Sequence, residues 1–232
     1  VQLSNLTVIN NEPFKNDTLL FTKEINLSLK LTELFKKTSE QLNIKSFAID
    51  EALINVLVDE KGNANYDIAK PEEVKKDTGN ENPSSFGLSI DSYEISNSTI
   101  KYNDEKGKMN LVLNNFNHSG NGDFSQSNSK LNTKTSALVS FGMDKTSYAK
   151  DQKVELNAIL GMDLTNQKFS FLKNEAKLNN LPLVFDGFVQ VNEKNQEVHL
   201  NFKTPSSDFK NFLGLIPEAY TKSIANVTTS GD

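Results

Sequence analysis

The chain writes one supersecondary unit twice, and this repetition limits its folds more than any other feature. The first copy, Ile44 to Gly62, reads IKSFAIDEALINVLVDEKG; the second, Ile90 to Gly107, reads IDSYEISNSTIKYNDEKG. Ile44, Ser46, Phe47, Ile49 and Ile54 align with Ile90, Ser92, Tyr93, Ile95 and Ile100. After a one-residue gap, Asp59-Glu60-Lys61-Gly62 aligns with Asp104-Glu105-Lys106-Gly107. Self-similarity of this kind marks a repeated structural unit. Apolar side chains step by two through Phe47 and Ile49, then through Ala52, Ile54, Val56 and Val58, which is the strand period. The change from odd to even positions predicts a bulge that bends the strand. DEKG suits a type I turn closed by a glycine at positive φ.

The rest of the chain continues in the same idiom. Val1 to Ile9 and Leu19 to Leu31 read as strands, with Asn10 to Pro13 as the turn between them. Thr32 is placed to cap a short helix from Glu33 to Leu42. Residues 70–85, KPEEVKKDTGNENPSS, carry almost nothing apolar and read as a linker or loop. They separate an N-terminal region, 1–69, from a body, 86–232, unless the two form one continuous domain. Met109 to Phe116 is expected to pair back across the second turn, and Asn117 to Asn128 to form a polar loop. Strands follow at Leu131 to Met143, Val154 to Leu164 and Phe169 to near Asn174; Ala176 to Asn179 and Leu181 to Val191 continue, and Val198 to Phe202 is the return strand. After Thr204-Pro205 the spacing of Phe209, Phe212, Leu213 and Ile216 turns helical.

Composition narrows the function classes. Hydrophobic residues make up 36% of the 232, a thin supply for a closed core of this length. That favours an elongated sheet. Twenty-five basic and thirty acidic residues, net charge -5, are spread along the chain, which argues against a nucleic-acid partner. No cysteine is present, so disulfides, thiol catalysis and thiolate metal sites are excluded. No apolar run approaches the roughly 20 residues of a membrane span. Val1 begins mid-pattern and Asp232 ends without a closing element, as expected of a piece excised from a longer protein.

Candidate chemistry is sparse. His118, read in the polar loop, and His199, at an outward strand position, are the two histidines. Neither has a nucleophile elbow or an H-E-x-x-H partner nearby. DEKGNAN, Asp59 to Asn65, has some calcium-loop character but lacks the distal acid of an EF-hand. The informative feature is a surface. Strand after strand has one apolar face, and few helices exist to cover it. Such a sheet curls, pairs with another sheet, or holds something apolar. A sealed sandwich core and an open greasy groove both fit this pattern.

Particular stretches add a family. Leu42 to Asp67, with Asp59, Gly62, Asn65 and Tyr66 in a D-x-x-G-x-x-N-[WY]-like turn, resembles the N-terminal hallmark of the AsmA family of bacterial envelope proteins. IDSYEISNSTIKYND, Met162-Asp163-Leu164, LPLVFDGFVQV (Leu181 to Val191) and Phe202 to Tyr220 are similar to the AsmA-type body. Tyr66 stands where tryptophan is common. The resemblance, which extends to TamB and bridge-like lipid-transfer proteins, implies a long antiparallel sheet folded into a gutter. It also implies an inner-membrane anchor outside this piece, a periplasmic location, and a part in moving phospholipid towards the outer membrane. It carries over no catalytic residue, and neither an enzyme activity nor a cofactor is expected.

The combined expectation is a mainly β protein: an elongated, curved antiparallel β-sheet, or half-pipe, with one or two short amphipathic helices near Leu34 and Phe212. Leu156, Ala158, Leu160, Met162, Phe169, Phe171, Leu183, Phe185 and Val189 are the expected floor for phospholipid acyl chains. A one-residue slip in register would turn them to the other face. Two rivals remain: a non-catalytic structural or protein-binding module of the envelope, and an envelope hydrolase using His118, His199 or a cleft acid.

Overall fold

Alternating apolar and polar residues make strands, and here nearly every such stretch joins one sheet. The computed structural model describes residues 1–36, 42–68, 88–122, 128–192, 196–205, 211–212 and 215–216. Ten strands run in sequence order: β1 Gln2–Ile9, β2 Thr18–Leu29, β3 Leu42–Val58, β4 Leu88–Asp104 and β5 Met109–Gly122, then β6 Asn128–Met143, β7 Thr146–Asp163, β8 Lys168–Leu178, β9 Leu181–Val191 and β10 Gln196–Lys203. Each hydrogen-bonds to its sequence neighbour, giving one open ten-stranded sheet not closed into a barrel. The fold is mainly β, as its patterning requires.

The two repeat copies lie side by side as β3 and β4. Their ladder joins Ile44 to Ile90, Ser46 to Ser92, Phe47 to Tyr93, Ile49 to Ile95 and Ile54 to Ile100. The sequence alignment is therefore the spatial register. This pair is parallel and the other eight ladders are antiparallel, so the sheet is mostly antiparallel. The chain between Val58 and Leu88 exceeds the dozen or so residues a parallel crossover needs. The expected linker, 70–85, falls in that crossover and lies outside the described residues. The β3–β4 ladder joins the N-terminal region to the body as one sheet.

At the expected odd-to-even shift the backbone turns left-handed. Glu51 has φ +49° and Asn97, its equivalent in the second copy, +50°. Asn5 in β1 and Asn115 in β5 repeat the feature, at +55° and +49°. Left-handed backbone costs a non-glycine residue roughly 1–2 kcal/mol, so something must hold it. Small hydroxyls do. Ser98 Oγ accepts from the Ala52 amide at 3.0 Å and donates to the Ser96 carbonyl at 2.7 Å. Thr22 Oγ1 donates to the Asp50 carbonyl at 3.0 Å. Both hydroxyl residues are 0% exposed. Asp50 Oδ1 accepts from Ser96 Oγ and Asn97 Nδ2, at 2.6 and 2.8 Å. Those bonds hold its carboxyl below the usual range. The register continues unshifted through the kink on both sides of β3, so no residue is inserted there. An extra residue of the bulge kind appears between β4 and β5. Aligned kinks across neighbouring strands crease the sheet and curve it.

The DEKG turns differ in detail. In the first, Gly62 takes φ +91° as the turn reading requires. In the second, the left-handed residue is Lys108, at +51°. Asn65 then locks the first turn onto β3: its Oδ1 accepts from the Leu57 amide at 2.9 Å and its Nδ2 donates to the Asn55 carbonyl at 2.7 Å.

Two expectations are corrected. Of the helix predicted over Glu33 to Leu42, the described residues hold a 3₁₀ turn, Leu31–Phe35, and Leu42 already belongs to β3; 37–41 lie outside the described residues. Glu33 anchors that turn, accepting from the Asn43 amide at 2.8 Å and pairing with Lys36 at 2.6 Å. The helix expected near Phe212 falls mostly outside the described residues; of the described ones there, 211–212 have helical backbone. The polar loop expected over Asn117 to Asn128 is strand as far as Gly122, and 123–127 are outside the described residues.

Candidate functional site

Directly paired residues of neighbouring strands share a face, so the register sorts every side chain. In β7, Leu156, Ala158, Leu160 and Met162 alternate onto one face. Across β8, Phe169 pairs with Met162 and Phe171 with Leu160. Across β9, Leu183 pairs with Ala176, Phe185 with Asn174 and Val189 with Phe169. Ala176 and Asn174 in turn pair with Leu156 and Ala158. All nine expected floor residues thus lie on a single face, called here the apolar face. β10 extends it with Val198, Leu200 and Phe202, and β6 with Leu131. Phe171, Phe185 and Phe202 form a ring ladder across β8–β10, with centroids 5.5 Å apart at each step.

Among the described residues no second layer covers this face. Strand contacts of any extent run between hydrogen-bonded neighbours. The buried apolar side chains are mostly small or at the margins (Ile44, Ala52, Leu131, Ala137, Ala158 and Leu181), and no described aromatic is fully buried. Val198 and Phe202 are 55% and 58% exposed. Two interlocked layers of a sandwich would have buried such side chains.

A depression of about 790 Å³ runs across β3 to β8 and is bordered by residues of both faces. Ser92, Glu94, Ser119, Asn121, Asn132 and Lys134 are alternate residues of its walls. The intervening row, Phe47, Tyr93, Gly120, Thr133 and Ala158, belongs to the apolar face and borders it as well. Of the nine expected residues, Ala158 alone borders it.

His118 is the main correction at the level of single residues. It is not a surface residue of a loop but a half-buried member of β5, paired with Ile95 and Thr135 and so on the apolar face. Its Nε2 lies 2.7 Å from the Tyr93 hydroxyl and its Nδ1 2.8 Å from Thr135 Oγ1. Phe116 stacks on the ring at 5.9 Å. Burial lowers its pKa from the ordinary 6.5, and no charged neighbour contributes. Burial likewise raises that of Tyr93. Sequence reasoning missed this cluster because its members are far apart in the chain. The one available signal was the match of Phe47 to Tyr93, which puts a hydroxyl where the first copy is apolar.

A depressed histidine pKa has a definite sign in stability. The unfolded chain takes up the proton first, so stability is full above 6.5 and declines as pH falls through 6.5 towards the folded value. The expected result is a melting temperature that drops between pH 7 and pH 5, with a smaller drop in His118→Phe. Equal drops in both proteins would remove His118 from the account. Carboxylates held low by their partners, Asp50 among them, act only at more acid pH.

His199 is exposed on β10, 3.0 Å from Glu197 and against the Phe188 ring. It has no nucleophile among its described contacts. The calcium-loop reading of DEKGNAN fails on geometry: Asn63 occupies both oxygens of Asp59, at 2.8 and 2.6 Å. No cluster of three metal-ligating side chains occurs among the described residues.

The arrangement defines a class: an open, creased β-sheet with one continuous apolar face and one polar face. Comparison with protein-family models, curated proteins and solved structures finds no match to this chain.

Proposed function

We propose that this protein is an AsmA-like periplasmic element that holds phospholipid acyl chains along its apolar face, on the way to the outer membrane. In this reading it is tethered to the inner membrane by a segment outside this chain. The observation that carries the proposal is the continuous run of apolar side chains from β6 to β10 with no described layer over it. Water against such a face is unfavourable, and an acyl chain relieves it by about 0.8 kcal/mol per methylene buried. No charged clamp is required for that. The hydrolase rival finds the Tyr93 and Thr135 hydroxyls beside His118 but no charged partner acting on that ring to complete a triad.

A second reading, a non-catalytic structural or protein-binding module of the envelope, draws on the β3–β8 depression with Glu94 and Lys134 in its walls. Titration with a fluorescent fatty acid separates the two. Saturable uptake at micromolar protein is the expected result. No uptake at that concentration removes the lipid reading and leaves the module.

A further inference from the structure

The apolar face is not uniformly apolar. Its middle carries Tyr93, His118, Thr133 and Thr135 on β4 to β6, and Asn174 on β8. The row through Phe47, Tyr93, Gly120, Thr133, Ala158, Asn174 and Phe185 holds no charged residue. Neither does the next row, through Ile49, Ile95, His118, Thr135, Leu156, Ala176 and Leu183. A phosphate or ammonium set there would find no counter-charge, at a cost of several kcal/mol. An uncharged acceptor would find donors.

One donor stands out. Asn174 is 2% exposed, and its Oδ1 accepts from the Ile159 amide at 2.9 Å. Its Nδ2 is buried with no hydrogen-bond partner. A buried donor left unmade costs about 1–3 kcal/mol, so the fold carries a penalty that a ligand acceptor would remove. Its register partner on β9 is Phe185, a floor residue. A chain lying along that ring therefore passes beside the amide. Three strands and a little further across, His118 is held between two hydroxyls, and burial favours its uncharged form.

We infer that these side chains form an uncharged hydrogen-bonding station in the apolar face, with Asn174 as its donor, and that it takes the ester carbonyl of an acyl glyceride. This rests on the lipid reading above and adds to it a chemical preference: an acyl chain is held at its linkage as well as along its length. A charged headgroup is excluded from the rows of the station and projects beyond them.

The test uses displacement of the hydrocarbon fluorophore diphenylhexatriene from the whole chain. The competitors are glyceryl monooleate, oleoyl lysophosphatidylcholine and octadecene. The expected result is that at least one ester lipid competes about tenfold better than octadecene in the wild type. That advantage should disappear in Asn174→Leu and persist in His118→Phe, whose ring nitrogens are already bonded three strands away, while octadecene competes unchanged in both. Unchanged octadecene competition also reports that the variants are folded. Which ester lipid is favoured identifies the source of the carbonyl. An ester advantage that survives Asn174→Leu, or is absent in the wild type, overturns the station and leaves the groove standing. No fluorophore binding at all overturns both.

Discussion

Gly187→Ala is expected to destabilise the sheet by about 3 kcal/mol and to release β10 first. Gly187 sits in β9 at φ +136°, where side-chain-bearing residues are strained. A Cβ built there would stand 1.9 Å from the His199 carbonyl oxygen and 3.0 Å from the Leu200 Cα. Both are backbone atoms of the paired strand, so no rotamer change relieves the contact. Relief requires the strands to separate, and β10, which among the described residues pairs with β9 alone, is the one free to go. Urea unfolding reads the loss, and hydrogen exchange of the β10 amides locates it. Gly161→Ala is the control: its Cβ would meet nothing closer than 3.5 Å, and its stability should stay within about 0.5 kcal/mol of the parent. A Gly187→Ala protein as stable as the Gly161→Ala control would contradict the β9–β10 packing described here.

The second large effect concerns function. Leu160→Asp should lower the affinity for fluorescent fatty acid at least tenfold, about 1.4 kcal/mol, with the sheet still formed. Leu160 lies between Leu131 and Phe171 on the apolar face. A carboxylate there remains solvated while the face is open. Once an acyl chain covers it, the charge loses water and gains no partner, and that penalty falls on the bound state. The control is Asn157→Asp, exposed on the polar face three residues away, which should bind as the parent does. Circular dichroism confirms the strand content of each. Equal binding by Leu160→Asp and the parent would place the lipid somewhere other than this face, or nowhere.

Much of the architecture was legible in the residues because a strand's side chains alternate with a period of two. The repeat alignment of Ile44, Ser46, Phe47, Ile49 and Ile54 proved to be a register, because identical chemistry in two copies packs best on itself. The kink at Glu51 was visible as a change of phase, since a switch of apolar positions from odd to even requires the backbone to turn over. The nine apolar positions fell on one face for the same reason. The helix predicted after Thr32 was misread because the Leu34, Phe35 and Leu42 spacing fits a helix or a turn followed by a strand. Pairing with β2 and β4 decides for the strand from Leu42 onward.

What the amino-acid order determined by itself is strand identity, phase and the two-faced character of the sheet, because those depend on neighbours one to four residues apart. What only the tertiary structure decided is direction and company. A parallel and an antiparallel β3–β4 pair use the same alternation, so the choice between them rests on how the intervening chain crosses over. His118, Tyr93 and Thr135 come from three strands and acquire their hydrogen bonds, and the burial that favours the neutral ring, only when the ladders form. Asn174 reads as an ordinary polar residue in sequence. The sheet buries it, occupies its carbonyl and leaves its amide unpaired, since that environment is assembled from β7, β8 and β9 together.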